Sequence, residues 1–152
     1  MLSRKAEDYL EAILNITEEK GHSRIKDIAV TLDVKPPSVI EMVKKLDGKK
    51  FVIYRKYDGV TLTERGREIA LIVKDRHDTI KAFLKIISIP EQIAEKDACT
   101  MEHELHSITT KQIKNLVNFV KTAPEYPQWL EHFEEFCTTG EHPCEGKVRG
   151  SK

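Results

Sequence analysis

No stretch of this chain is apolar enough to cross a membrane. Its longest apolar run, IALIV at residues 69–73, is far short of the roughly 20 residues a spanning helix needs. The opening MLSRKAEDYLEA sets no continuous apolar segment behind its charges, so no secretory signal is expected. Cysteine is scarce, and its three copies, an odd number, do not make a disulfide framework. In a chain with no export signal they read as thiols or ligands, and the expected compartment is the cytoplasm. There is also no glycine-rich phosphate loop and no nucleophile elbow. HELH at 103–106 spaces its histidines i, i+3, unlike the His-Glu-x-x-His of a zinc protease, so an enzyme is not expected. Internal repeats, low-complexity tracts and a linker-like break in composition are absent as well. Only the last dozen residues look loose.

What is present suits a helix-rich globular protein: 39% hydrophobic and 33% charged residues, with no net charge. The charge is unevenly placed. Residues 1–76 carry 16 Lys/Arg against 13 Asp/Glu, and the remainder carry 9 against 12. Within residues 35–56 there are seven basic residues, Lys35, Lys44, Lys45, Lys49, Lys50, Arg55 and Lys56, against Glu41 and Asp47. On charge alone this patch is a solvated face or a polyanion-binding one.

The order of elements favours the second reading. RKAEDYLEAILNITEEKG has apolar residues at Ala6, Leu10, Ile13 and Leu14 and a natural stop at Gly21. SRIKDIAVTLDV follows, with Ser23 as N-cap and Ile25, Ile28, Ala29 and Leu32 on one stripe. KPPSVIEMVKKLDGKK starts a third helix at its prolines, with Val39, Met42, Val43 and Leu46 recurring at helical spacing. FVIYRKYDGVTLT is rich in β-branched and aromatic residues around Asp58-Gly59, which predicts a hairpin. Three helices followed by a hairpin is the winged helix-turn-helix order, in which the third helix enters the DNA major groove. Pro37, Ser38 and Glu41 then lie at the exposed start of that helix, within reach of base edges. Lys35, Lys44, Lys45 and the hairpin's Lys56 are placed to neutralise phosphates.

Thr63 caps a long helix, ERGREIALIVKDRHDTIKAFLKIIS, whose apolar seam is Ile69, Val73, Ile80, Phe83 and Ile87. Pro90 opens a further helix, TTKQIKNLVNFVK carries a capping-box pattern from Thr109 to Gln112, and PQWLEHFEEFC aligns Trp129, Leu130, Phe133 and Phe136. The expected fold is therefore mainly α. An N-terminal winged helix-turn-helix over residues 1–70 is joined by the long helix to an all-helical domain over 71–140, with a flexible tail over 141–152.

ACTMEHELH, residues 98–106, raises a separate question. If helical, it puts Cys99, Glu102 and His103 at i, i+3 and i+4 on one face, either as an ordinary polar face or as metal donors. Asp8 and Glu11 are i, i+3 on the first helix, and His77 lies on the long one, one turn from Val73 and Ile80. Three helices could bring these six side chains to a common point. Downstream, His132, Cys137, His142 and Cys144 could form a small zinc site or be thiols near a loose end.

Taken together, EDYLEAI, the run from KGHSRIKDIAV to GVTLTERG, RHDTIKAFLKII and MEHELH closely resemble the diphtheria toxin repressor family, in particular its short manganese transport regulator branch. The resemblance covers roughly residues 3–106, with a weaker continuation to about 136. It implies a homodimer that reads a double-stranded DNA operator, usually as a repressor of metal-uptake genes, and loads Mn²⁺ or Fe²⁺. It also implies that Asp8, Glu11, His77, Cys99, Glu102 and His103 are the ligands. Asp8 follows the manganese pattern, whereas Cys99 follows the iron pattern. A thiolate favours softer ions such as Fe²⁺, Co²⁺ or Zn²⁺, and added carboxylates favour Mn²⁺. The resemblance places a glutamate at position 81, where this chain has Lys81; Glu95, one turn before Cys99, is either a replacement carboxylate or a surface residue. The competing expectations are a winged-helix regulator that answers a non-metal signal, or one that answers Zn²⁺.

Overall fold

The computed structural model describes residues 2–143, and they form seven helices and one hairpin, the mainly α architecture with a winged helix-turn-helix expected from the sequence. The chain divides into two compact units, Met1–His77 and Asp78–Lys152. The division thus falls inside the long helix, beyond the 70/71 boundary drawn from the sequence. Among the described residues no helix is long and apolar enough to cross a membrane.

In the first unit α1 (Arg4–Lys20), α2 (Ile25–Leu32) and α3 (Pro36–Gly48) surround a core built on Leu10, Ile13, Leu14, Ile28, Val39, Val43 and Leu46. Each such aliphatic side chain, fully buried, is worth about 1.5–3 kcal/mol. Helix α1 ends where Gly21 takes the left-handed conformation, φ 79°, and its N–H donates to the Thr17 carbonyl. Pro36 occupies the first turn of α3, where its missing N–H costs nothing.

Strands β1 (Val52–Arg55) and β2 (Gly59–Leu62) pair antiparallel, with Arg55 opposite Gly59, so residues 56–58 form the turn of the wing. Gly59 has φ 98°, and a Cβ there would lie 2.5 Å from the Ser23 carbonyl oxygen. This close approach lets the Val60 N–H donate to that carbonyl at 2.8 Å, which pins the wing to the loop between α1 and α2.

Ser23 is consequently not the cap of α2. It is buried, its backbone is committed to β2, and its hydroxyl finds no hydrogen-bond partner among the described residues. Arg24 is the N-cap residue instead, and its N–H donates to the Asp27 carboxylate at 3.1 Å. Lys20 donates to the other Asp27 oxygen at 3.0 Å and holds that carboxyl below the usual range. Asp27→Ala should destabilise the first unit by about 1 kcal/mol, the usual cost of a lost cap. Because the folded carboxyl is lowered, the contribution is complete at neutral pH and disappears as the pH falls through the carboxylate range. Melting curves of wild type and variant should therefore differ at pH 7 and converge in acid. A gap that widened in acid would contradict the assignment.

Helix α4 (Glu64–Ile86) begins at Thr63, whose hydroxyl accepts from the Gly66 N–H at 3.1 Å, as its expected capping role requires. Within the first unit α1 is tied to α4 by Glu18–Lys74 at 2.7 Å and Glu7–Arg76 at 3.6 Å.

The second unit has a smaller core, Ile80 and Leu84 of α4 against Ala94 and Ala98 of α5 (Glu91–Met101), flanked by Phe83, Ile87 and Leu105. Helices α6 (Ser107–Lys121) and α7 (Gln128–Thr139) follow. The capping box from Thr109 to Gln112 is not formed. Helix α6 begins two residues earlier, at Ser107 with His106 as its cap, so Thr109 lies inside the first turn. Of the expected apolar face of α7 only Leu130 is buried, whereas Trp129 and Phe136 are exposed. Cys144 lies outside the described residues, and with it the possible site at His132, Cys137, His142 and Cys144.

Candidate metal centre and nucleic-acid interface

The first unit presents the expected DNA-reading residues on one exposed surface. Lys35 is the N-cap residue of α3, and Lys35, Pro37, Ser38, Glu41, Lys44 and Lys45 are all exposed, while Val39, Val43 and Leu46 on the other side are buried. The helical period alone separates these sets. Lys45 pairs with Glu41 at 3.5 Å, an exposed i, i+4 pair worth only a few tenths of a kcal/mol and easily exchanged for a phosphate. At the wing tip Lys56 lies 5.7 Å from the Tyr57 ring centre, and Tyr57 is 87% exposed. The sequence reading passed over Tyr57; its position beside a turn, next to a lysine, was the available signal. An exposed aromatic with an adjacent cation can contact a sugar–phosphate backbone without reading sequence.

Candidate metal donors occur in both units. In the first, Asp8 and Glu11 are half-buried on α1, and His77 is buried on α4, 6% exposed. The ion pairs between α1 and α4 set the register that brings a Glu11 oxygen within 4.8 Å of a His77 ring nitrogen. Acid and imidazole at that separation can share one cation.

In the second unit the nine-residue stretch does not form a single helical face. Helix α5 ends at Met101, with Glu102 as its C-cap residue and His103 in the turn that follows. Glu102 keeps the right-handed helical conformation, with its N–H donating to the Ala98 carbonyl at 3.0 Å, and its side chain is buried to 2% exposure, whereas Cys99, in the last helical turn, stays exposed. His103 Nε2 lies 3.1 Å from Glu102 Oε1, and both side chains are almost fully buried. Burying a carboxylate is costly unless positive charge or several donors compensate it. A carboxylate and an imidazole buried together therefore suit a divalent cation.

Cys99 has a different neighbour. A carboxylate oxygen of Glu95, one turn earlier, lies within 4.8 Å of its sulfur. Glu95 is also ion-paired with Lys81 at 2.9 Å, and Lys81 reaches Glu91 at 3.4 Å. These two carboxylates raise the Lys81 ammonium above its ordinary range, with the hydrogen bond to Glu95 the largest cause. Of the two expectations for Glu95, replacement ligand or surface residue, the geometry adds a third: an acid already matched to a cation. The donor set is otherwise carboxylate and imidazole, which suits Mn²⁺ and Fe²⁺, with one thiolate that suits Fe²⁺, Co²⁺ or Zn²⁺.

Comparison with known proteins gives a consistent picture. Residues 1–60 match the profile described as iron dependent repressor, N-terminal DNA binding domain. Residues 63–131 match the iron dependent repressor metal binding and dimerisation domain. The chain is 39% identical over 125 residues to the HTH-type transcriptional regulator MntR of Bacillus pumilus, covering 82% of this chain and 87% of that protein. It is 40% identical over 119 residues to MntR of Bacillus subtilis, covering 78% and 84%. Among solved structures it is similar to the manganese regulator SloR, with a TM-score of 0.66, 29% identity and 78% of this chain covered. It is also similar to a manganese-dependent transcriptional repressor in complex with manganese, with a TM-score of 0.66, 26% identity and 75% covered. The matches extend over 56% and 53% of those two solved chains, so this chain spans about half their length.

Proposed function

We infer the function from one premise, that the chain belongs to the iron-dependent repressor family: it is a metal-dependent, DNA-binding transcriptional repressor and not an enzyme. It acts as a homodimer on double-stranded operator DNA in the cytoplasm, with Mn²⁺ or Fe²⁺ as the sensed ion and metal-uptake genes as the regulated class. The observation that carries this reading is the buried Glu102–His103 pair, a carboxylate and an imidazole nitrogen 3.1 Å apart, both of types that ligate a divalent ion. A winged-helix regulator that answers a non-metal signal is set aside, since residues 63–131 match a metal-binding domain. Exposed apolar residues on α6 and α7, among them Ile108, Phe119 and Trp129, support association with a second copy.

We assign the ion to Asp8, Glu11 and His77 of the first unit together with Cys99, Glu102 and His103 of the second. When bound, the ion supplies positive charge among these carboxylates. The chain's own residues do the rest. Without a cation, Asp8, Glu11 and Glu102 carry like charge, and holding them together costs free energy. With the charge balanced, a bound ion restricts the two recognition helices of a dimer to one separation. Successive major grooves on one face of DNA lie about 34 Å apart, so a fixed separation favours a near-palindromic operator. Pro37, Ser38 and Glu41 then meet base edges, while Lys35, Lys44, Lys45 and Lys56 neutralise phosphates.

DNA binding measured in EDTA, then with Mn²⁺, Fe²⁺ or Zn²⁺ restored, tests the reading. Metal should strengthen binding roughly 10- to 100-fold, the usual range of such coupling, and DNA should strengthen metal binding by the same factor. Lys44→Ala should weaken binding with or without metal and lower the salt slope by about 0.9 for the lost phosphate contact. Equal binding in EDTA and in metal would overturn the assignment.

A further inference from the structure

Lys49 and Lys50 belong to the basic patch of residues 35–56 but not to the DNA-reading face assigned so far, and they stand where α3 ends. The start of α4 brings a third cation to the same place. The Arg65 guanidinium lies over the Phe51 ring at 4.5 Å, and one of its terminal nitrogens donates to the Lys49 carbonyl at 3.5 Å. The Thr63 hydroxyl donates to the Lys50 carbonyl at 2.7 Å. All three basic residues are exposed, and among the described residues none of them forms an ion pair with an acid. Lys50 is the unusual one. Its φ is 66°, the left-handed conformation; its N–H donates to the Asp47 carbonyl and the Phe51 N–H donates to the Leu46 carbonyl, both at 3.0 Å. In a helix ending of this kind glycine is the usual residue, because a Cβ is strained there. Among the described residues the other non-glycine positions with positive φ, Asp33 and Ser88, carry short polar side chains. A long stem gains nothing locally from that conformation. What lysine brings to position 50 is an ammonium held at a fixed point.

We propose that Lys49, Lys50 and Arg65 form a second phosphate-binding surface, seated on the DNA backbone beyond the bases that α3 reads. The proposal deepens the DNA-binding reading and rests on it. Lys45 already belongs to the phosphate-facing set, and the i, i+4 spacing continues that side of α3 to Lys49. Three cations with no acid of their own match adjacent phosphodiesters, which accept from a guanidinium in bidentate fashion and from an ammonium as from a point charge. Such a surface reads no base. It extends the stretch of backbone held and strengthens binding to every sequence alike.

The test titrates the full chain, with Mn²⁺ present, into a fluorescein-labelled duplex of mixed sequence and reads anisotropy between roughly 50 and 200 mM KCl. Lys50→Gly should bind more weakly, with a salt slope shallower by about 0.9, so that this rise in salt weakens it about 3.5-fold less than wild type. The same variant should melt at or above the wild-type temperature, by up to about 5 °C, because glycine suits the left-handed position. Lys50→Arg should keep the wild-type slope. Lys49→Gln combined with Arg65→Gln should lose about twice as much slope as Lys50→Gly, one step for each contact. An unchanged slope in either Lys50→Gly or the double variant would overturn the proposal while leaving DNA binding intact. So would a loss of affinity that came with a lower melting temperature and no change in slope. A wild type that fails to bind the duplex would overturn the DNA-binding reading and this proposal with it.

Discussion

Replacing Gly66 with alanine is expected to destabilise the first unit by about 3 kcal/mol or more, a large part of the 5–15 kcal/mol that holds a typical domain together. The reason is local and specific. A Cβ on Gly66 would stand 1.9 Å from the carbonyl oxygen of Phe51 and 2.9 Å from its carbonyl carbon. Both neighbours are backbone, so no side chain can rotate away. That carbonyl is in use, since it accepts the Thr63 N–H at 3.0 Å and the Thr63 hydroxyl at 3.1 Å. Arg65 lies over the Phe51 ring at 4.5 Å and reinforces the same junction. A methyl group here therefore pries the first turn of α4 off the start of the wing. For a unit of this size, with about 4–8 °C lost per kcal/mol, the melting temperature should fall by more than about 10 °C. Gly48→Ala is the internal control. A Cβ there meets nothing within 4 Å, and the residue lies in a helix, so the exchange should be neutral or stabilise by up to about 1 kcal/mol. Equal melting temperatures for wild type and Gly66→Ala would refute the junction described.

Glu102→Gln should produce the opposite pattern, a protein that folds as well as wild type but no longer responds to metal. The amide keeps the shape of the carboxylate and its oxygen can still accept a hydrogen bond from His103, so chelator-treated protein should melt close to the wild-type temperature. Metal affinity should fall at least about 100-fold, because even residues that only orient a ligand cost 10- to 100-fold when lost. Wild type in metal at about 100 times its dissociation constant gains roughly 2.7 kcal/mol of stability, and the variant at the same concentration should gain less than half of that. Operator affinity in the variant should stay at the chelated wild-type level whether or not Mn²⁺ is added, because linkage removes the response of one ligand along with that of the other. A variant with full metal-induced stabilisation would show that Glu102 is buried for some other purpose.

The sequence made the DNA-reading unit legible through two periods. Apolar residues every three or four positions marked α1 to α3, and β-branched and aromatic residues about Asp58-Gly59 marked the wing. Each signal is local, since it depends on which side of a helix or strand a residue occupies. For the same reason Lys35, Pro37, Ser38, Glu41, Lys44 and Lys45 were readable as an exposed face. The proposed metal donors were named from residue types and from family resemblance. Their surroundings were not.

Where the reading differed from the fold, either a longer-range contact or a shifted helix boundary accounts for it. Ser23 had the chemistry of a cap, but its carbonyl was claimed by Val60 from the wing. Thr109 and Gln112 had the spacing of a capping box, but α6 started earlier, at Ser107. The stretch around Cys99 had the spacing of one helical face, but α5 stopped at Met101, so His103 lies in the turn beyond it while Glu102 is buried and Cys99 exposed.

By itself, then, the sequence determined the order of elements, the faces they bury and the residue types available for chemistry, because these follow from neighbours three or four positions away. Only the tertiary structure decided which acid takes which base, which glycine bears a backbone contact and which carboxylate leaves water. Those outcomes depend on atoms well separated along the chain, as with Gly59 against Ser23 and Lys81 against Glu95. The strength of a charge pair or a clash is set by ångströms that no spacing along the chain records.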